Sequence, residues 1–134
     1  MKVARQSMEN AISLAKAGNY IWDLSNAMQS TVEKAGYSAV KALTGHGIGK
    51  KLHEEPSIPC FTIGERKNSE QIVPGMALAI EIMTNEGNFE VAYINNDGWT
   101  IGTVDGTISA LFEETVAITK TGNYILTREQ NLKK

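Results

Sequence analysis

The sequence of 134 residues has few of the residues that form disulfides or structural metal sites in small proteins. It contains one cysteine, Cys60, and two histidines, His46 and His53. A single cysteine cannot form an internal disulfide, which is typical of a reducing compartment, so we expect a cytoplasmic protein. A chain of this length can bury a core without disulfide or metal staples. We therefore predict one domain over residues 1–134.

An excess of charge of either sign is also lacking. Thirteen Lys and Arg residues stand against 15 Asp and Glu residues, which gives a net charge of -2. With both signs interspersed, the sequence gives no electrostatic reason to expect a nucleic acid or a membrane surface as partner. No stretch approaches the roughly 18 consecutive apolar residues of a membrane-spanning helix. The N-terminus has no apolar run of the kind found in secretory signals.

Two helical patterns occupy the first 35 residues. Apolar side chains recur at helical spacing over residues 3–16 and again over residues 22–35, and Gly36 is placed to end the second helix. We predict two amphipathic helices there. Their apolar stripes consist of Val3, Met8, Ala11, Ile12 and Ala15, and of Ile21, Leu24, Met28, Val32 and Ala35.

From residue 37 onward the pattern changes to short β-type runs separated by turn residues. The predicted strands cover residues 37–43, 58–61, 77–83, 89–94, 99–104, 109–119 and 124–127. Two helices followed by an antiparallel meander indicate an α+β fold. The polar tail at 128–134 is expected to fray.

Residues 45–56 hold both histidines and three alternate glycines within twelve positions. Glycines permit a positive φ and close packing of the backbone, so we expect this stretch to present His46 and His53 at a fixed place. A plain glycine-rich surface loop is the alternative.

Three familiar motifs do not fit this stretch. A phosphate-binding loop would need serine or threonine where Lys51 stands, and a dinucleotide fingerprint would need a third glycine where Lys50 stands. A helical zinc motif would need a second histidine where Ser57 stands.

Carboxylates interrupt two of the apolar strand patterns. Glu81 lies within the run 77–83, and Glu113 and Glu114 follow Phe112 in another strand, where alternation places them on opposite faces. A buried carboxylate has to be paired, hydrogen-bonded or bound to a metal, whereas an exposed strand position or a salt bridge is the alternative for each. Together with a histidine held by glycines, two such carboxylates form a ligand set suited to zinc, manganese, iron or cobalt.

Several short motifs follow one another along the chain. They are Gly-His-Gly-Ile-Gly at 45–49, His-Glu-Glu-Pro at 53–56, Pro-Gly-Met at 74–76, Ala-Ile-Glu at 79–81, Asp-Gly-Trp-Thr at 97–100, Ser-Ala-Leu-Phe-Glu at 109–113, Ala-Ile-Thr at 117–119 and Ile-Leu-Thr at 125–127. In this order the motifs resemble those of type I methionine aminopeptidases. The resemblance extends from the first helix to Thr127 and corresponds to the C-terminal half of that family. It implies half of a pita-bread fold, with two N-terminal helices packed on a mostly antiparallel sheet.

The resemblance also implies roles for individual residues. His46, Glu81 and Glu113 match three of the family's five metal ligands, and His53 matches a histidine that contacts the substrate near the scissile amide. Glu81 matches the glutamate that handles the proton of the attacking water, so His53 and Glu81 are the implied catalytic residues.

The family removes N-terminal methionine from peptides with a metal-activated water. Leu52 and Trp99 fall at positions that line its methionine pocket, and Phe61 lies near them. The implied cofactor is a divalent cation, namely Co, Mn, Fe or Zn, and the implied ligand is a peptide N-terminus.

Members of the family are about twice as long as this chain, and the other half supplies two aspartate ligands and a further histidine. We expect a half-length aminopeptidase-like protein that forms a homodimer through its exposed sheet edge and concave face. One piece of a split aminopeptidase that needs a separate N-terminal half, and a non-catalytic binding module, are the alternatives.

Overall fold

The computed structural model describes residues 1–128 and begins with two helices, as predicted. Helix α1 spans Lys2–Leu14 and helix α2 spans Ile21–Lys34, so each bound lies within two residues of its expected position. In this part of the chain, neither helix is long and apolar enough to cross a membrane.

Local contacts set both ends of α2. The amide of Tyr20 donates to Asp23 Oδ2 at 2.9 Å, and Arg66 holds the same carboxylate from the loop opposite. That hydrogen bond with Arg66 lowers the pKa of Asp23. At the other end Gly36 adopts φ +81°, which stops the helix. Ala35, predicted on the buried stripe, is exposed because it is the C-cap residue and not part of the last helical turn.

Eight strands follow the helices. They are β1 (Ser38–Ala39), β2 (Thr44–Gly47), β3 (Glu54–Pro59), β4 (Ala77–Asn85), β5 (Val91–Tyr93), β6 (Ile101–Thr103), β7 (Ser109–Ile118) and β8 (Asn123–Ile125). Five strands of the main sheet run in the order β3-β2-β4-β7-β8, with β1 also paired to β4, and β5 pairs with β6 in a separate hairpin. Every strand pair within residues 1–128 is antiparallel. The α+β class is therefore confirmed.

The predicted strand at 37–43 is wrong in its extent. Only Ser38 and Ala39 pair there, with the C-terminal end of β4, and β2 then begins at Thr44 and pairs with the N-terminal part of β4. The residues between β1 and β2 run past the edge of β4 from one pairing site to the other. They therefore do not form a continuous ladder of backbone hydrogen bonds with it. Strand β3 starts earlier than expected, because Glu54 already pairs with Gly47.

The helices cover one face of the sheet. Leu78, Ile80 and Ile82 alternate along β4, are fully buried and belong to the same apolar cluster as the buried residues of α1 and α2. Arg5 of α1 lies 4.8 Å from the centroid of the Phe112 ring, which places the helix over that side of β7. The side chains that alternate with these residues therefore face the other, open side of the sheet.

The expectation of a frayed tail is wrong at Arg128. Its guanidinium bonds Glu9 of α1 at 2.7 Å and Glu114 of β7 at 2.9 Å, so it ties the helix to the sheet. Residues 129–134, which were also expected to fray, lie outside the described residues.

Candidate metal centre

Strand pairing gathers the three predicted ligands on the open face of the sheet. His46 on β2 stands opposite Ala79 on β4, and Glu81, two residues further along β4, stands opposite Glu113 on β7. One donor atom from each of His46, Glu81 and Glu113 lies within 4.8 Å of the others. His46 Nε2 lies 3.9 Å from Glu81 Oε1. Three strands therefore bring one nitrogen and two carboxylate ligands to one place.

Close packing explains the glycines beside His46. A Cβ added at Gly45 would lie 2.5 Å from the carbonyl oxygen of Ala79, and one added at Gly47 would collide with the carbonyl oxygen of Glu55. None of the three alternate glycines adopts a positive φ, so that part of the expectation is wrong. The glycines serve the close approach of β2 to its two neighbouring strands.

A backbone hydrogen bond orients the His46 ring. Nδ1 lies 2.8 Å from the carbonyl oxygen of Gly47. A carbonyl oxygen can only accept, so Nδ1 carries a proton, and in the neutral ring the Nε2 lone pair is then free on the side of Glu81. This is the arrangement that metal-binding histidines use, because the bond fixes both tautomer and orientation.

The second histidine lies beside the first. The ring centroids of His46 and His53 are 4.3 Å apart, and the planes are inclined at 66°. His53 itself is exposed at the end of the loop that leads into β3. The structure thus places both histidines at one site.

The two carboxylates make this face electrostatically unusual. Glu81 is half-buried, and its burial raises the pKa of its carboxyl group above the ordinary 4.5. The charge of Glu113 raises the pKa further, and the charge of His46 lowers it in part. A nearby cation would stabilise the charged form of this carboxyl group.

The donor set fits a divalent cation. Ligands about 2.1 Å from a tetrahedral ion lie about 3.5 Å apart, and the donors here, separated by at most 4.8 Å, are near that spacing. Imidazole and carboxylate suit zinc, manganese, iron and cobalt, and three protein ligands leave coordination positions for water or a substrate.

The three predicted pocket residues are not enclosed. Leu52 is 67% exposed on the loop before β3, and Trp99 is 85% exposed in the turn between β5 and β6. Phe61 is half-buried, with the Lys41 ammonium 5.7 Å from its ring centroid. Leu52 and Trp99 project into solvent.

A neighbouring cavity was missed from the sequence. It measures about 320 Å³, and its lining includes Leu43, Met83, Val91, Ile101 and Leu111. Met83 and Leu111 are paired in register next to Glu81 and Glu113, on the same face. Alternation along the two strands could have placed these two residues beside the carboxylates, but the hairpin that closes the cavity packs there only through tertiary contacts.

Similarity to known proteins agrees with this geometry. Residues 1–120 match metallopeptidase family M24. The methionine aminopeptidase of Clostridium perfringens is 42% identical over 127 residues, which cover 95% of this chain and 50% of the relative. Methionine aminopeptidase 1 of Bacillus subtilis is 42% identical over 128 residues, which cover 96% of this chain and 50% of the relative.

Solved structures give the same result for the fold. The crystal structure of methionine aminopeptidase from Thermotoga maritima matches with a TM-score of 0.90 and 41% identity, over 96% of this chain and 50% of that chain. A dipeptidase from Pyrococcus horikoshii matches with a TM-score of 0.68 at 22% identity over 96% of this chain and 30% of that chain, a likeness of fold alone.

The chain spans about half the length of these methionine aminopeptidases. Its two helices and antiparallel sheet form the matching half of their pita-bread fold. With the match over residues 1–120, the chain belongs to metallopeptidase family M24.

Proposed function

We propose that this chain is a half-length, methionine aminopeptidase-like metalloprotein that binds a divalent cation through His46, Glu81 and Glu113. The convergence of three donor atoms within 4.8 Å on the open face of the sheet carries the proposal. Membership of a metallopeptidase family supports it. Cobalt, manganese, iron and zinc all suit these ligands.

The residues around the three ligands support a role in peptide hydrolysis. When bound, a divalent cation lowers the pKa of water and polarises a peptide carbonyl. Glu81, whose pKa burial has raised, is suited to take a proton from the attacking water and pass it on. His53, exposed beside His46, is placed to hydrogen-bond the substrate near the scissile amide.

The substrate in this proposal is a peptide with N-terminal methionine. Leu52 and Trp99 would line the methionine side chain, with Phe61 near them, once a partner covers the open face. Their exposure in the single chain is consistent with this role, because large exposed apolar side chains mark binding surfaces.

The proposed partner is a second copy of the chain, related by a two-fold axis. β3 and β8 end the main sheet, and Leu111, Trp99 and Tyr124 are exposed hydrophobic side chains. Exposed edges and apolar faces favour pairing, and a two-fold dimer would complete a central cleft from two open faces.

Charge makes this dimer dependent on metal. Two facing copies of Glu81 and Glu113 would oppose four carboxylates, which repel one another when they are desolvated without counter-charge. Bound cations would supply that counter-charge. Light scattering at micromolar concentration should therefore give a dimer mass with manganese. A monomer mass both with manganese and with a chelator would contradict the dimer.

A second candidate is one piece of a split aminopeptidase. The observation that favours it is the match to only 50% of each of the two bacterial relatives. Mixing the chain with a separately expressed N-terminal half of a relative should then restore metal-dependent cleavage of a Met-Ala peptide. A stable complex without cleavage would favour a non-catalytic binding module.

The experiment that tests the proposed function is metal titration with peptide hydrolysis. Wild-type protein should bind manganese, and His46→Ala and Glu113→Gln should lose most of that affinity. Glu90→Gln, which removes one exposed carboxylate outside the cluster, is the matched control. Equal metal content in His46→Ala and wild type would remove the basis of the proposal.

A cytoplasmic location and a single domain complete the proposal. The thiol of Cys60 is buried and in no disulfide, and burial raises its pKa to about 11. A lone cysteine that forms no disulfide is typical of a reducing compartment. Fractionation of expressing cells and limited proteolysis would test the two statements.

A further inference from the structure

Three hydrogen bonds hold the loop between β2 and β3, one of them to β4 and two within the loop. Ile48 N–H donates to Ala77 O at 2.9 Å and Gly49 N–H donates to Lys51 O at 3.1 Å. The third bond runs from Lys51 N–H to the Glu54 side chain, at Oε1, over 2.8 Å. Residues 49–55 of this region are exposed, so such local bonds, and not core packing, fix its shape.

The Glu54 carboxylate packs inside the turn that it closes. A Cβ added at Gly49 would lie 2.7 Å from Glu54 Oε2 and 3.2 Å from Oε1. Gly49 therefore leaves room for the carboxylate to lie against its Cα while Oε1 accepts the Lys51 amide. This accounts for a glycine at position 49 without any positive φ.

The same turn places His53 beside His46. Glu54 is the first residue of β3 and pairs with Gly47, and the register shifts between His46 and Gly47. His53 directly precedes Glu54, as His46 directly precedes Gly47, and the two rings meet with centroids 4.3 Å apart. The path of residues 49–53 thus sets where the His53 ring lies.

We infer that Glu54 is a positioning residue whose carboxylate closes the turn at 49–54 and holds the His53 ring against His46. Glu54 is outside the three-ligand cluster and acts through His53. The importance of His53 for a substrate rests on the proposed function, but its position relative to His46 can be measured without metal or substrate.

The neighbouring carboxylate provides a matched control. Glu55 is also exposed, and its Oε2 accepts the amide of Ser57 at 3.1 Å, on the strand side and away from the turn. Glu55→Gln removes the same charge one residue away. If the negative charge of this region alone held the His53 ring in place, Glu55→Gln would act like Glu54→Ala.

Nuclear magnetic resonance of the metal-free protein tests the inference. The chain has two histidines, so the spectrum of one His53→Gln variant assigns both sets of ring signals. A nuclear Overhauser effect between the His46 and His53 rings is expected in the wild type and in Glu55→Gln. Glu54→Ala should lose that effect, and Glu54→Gln should keep it, because the amide oxygen still accepts the Lys51 N–H.

Gly49→Ala gives a second test that leaves the charge unchanged. Its Cβ would displace the flexible end of the Glu54 side chain, so it should also lose the contact between the rings, with an unfolding midpoint close to that of the wild type. Persistence of the inter-ring signal in both Glu54→Ala and Gly49→Ala would overturn the inference, as would its loss in Glu55→Gln. Manganese titration of the same samples is independent of this result, so a failure to bind metal would count against the proposed function alone.

Discussion

Glu81 and Glu113 stand directly opposite each other on neighbouring antiparallel strands of the sheet. Like charges at such positions destabilise a strand pair. Burial and the charge of Glu113 raise the pKa of Glu81, and His46 offsets part of this effect. The fold therefore brings two like charges together at the place where the proposed cation would bind.

Glu81→Gln should stabilise the metal-free protein at neutral pH. Because the folded state holds the Glu81 proton more tightly than the unfolded chain, the free energy of unfolding falls as pH rises through the window above 4.5. Removing the charge should raise the free energy of unfolding at pH 7 by a few tenths to about 1 kcal/mol, the range for like-charged cross-strand pairs. Urea unfolding in a chelator at pH 4 and pH 7 measures this.

The gain should nearly vanish at pH 4, where the wild-type carboxyl group is largely protonated. A Glu81→Gln protein less stable than wild type at pH 7, or a gain of equal size at both pH values, would contradict this account of the carboxylate pair.

Metal binding should strengthen dimer formation. If cations neutralise the facing carboxylates, the dissociation constant of the dimer should fall by at least tenfold in manganese, equivalent to about 1.4 kcal/mol. Sedimentation velocity across a concentration series, with and without chelator, measures both constants. Glu113→Gln should weaken the dependence on manganese, and an unchanged dependence in that variant would place the linkage elsewhere.

Gly45→Ala should separate β2 from β4. The added Cβ would lie 2.5 Å from the carbonyl oxygen of Ala79, a backbone atom that cannot move alone. Overpacking of this kind costs about 1–3 kcal/mol, and it should also displace His46 and weaken metal binding. Chemical denaturation measures the first effect and calorimetric titration the second.

Thr44→Ala is the control for that substitution, since Thr44 is exposed on the same strand. Its effect should stay within about 0.5 kcal/mol, as for other surface changes. A Gly45→Ala protein with wild-type stability and metal affinity would show that the close approach of the two strands is dispensable.

Arg128→Ala should loosen the tie between α1 and β7. Burial alone would raise the pKa of Glu114, but hydrogen bonds from Thr127 and Arg128 outweigh it and lower the pKa. The stabilisation is therefore present above the ordinary value of 4.5 and is lost as pH falls through the lowered pKa. Since Arg128 is partly exposed, the substitution should cost about 1 kcal/mol at pH 7.

Lys67→Ala provides the contrast for Arg128→Ala. Within residues 1–128 Lys67 pairs with Glu65 alone, and both side chains are largely exposed, so its loss should be too small to measure. Equal effects of the two substitutions on thermal unfolding would mean that Arg128 does not link the helix to the sheet.

The helices were predictable because their apolar residues recur at one local period. Both bounds of α2 lie within one residue of expectation, and the exposed Ala35 is a capping effect that periodicity does not report. The division between β1 and β2 was not predictable, since it depends on which part of the β4 edge each segment pairs with. Strand propensity over residues 37–43 contains no information about that edge.

Two of the three candidate ligands break a local pattern of the sequence, whereas the third, Glu113, was named in preference to Glu114 only by the family resemblance. Glu81 interrupts an apolar run, and His46 lies between glycines. The reason for the glycines was not accessible, because a collision with Ala79 is visible only once the strands are paired. The turn closed by Glu54 was missed for the same reason, since its carboxylate bonds a backbone amide that no sequence pattern marks.

Cobalt titration shows whether His46, Glu81 and Glu113 bind one cation together. Cobalt(II) ligated by His46, Glu81 and Glu113 gives visible absorption that saturates with the bound metal, and its paramagnetism shifts the ring signals of a ligating histidine. We expect saturation at one equivalent per chain, a contact-shifted His46 ring in wild type, and loss of both signals in His46→Ala but not in His53→Ala. The same cobalt spectrum from wild type and His46→Ala, or no saturable absorption in wild type, would contradict this expectation.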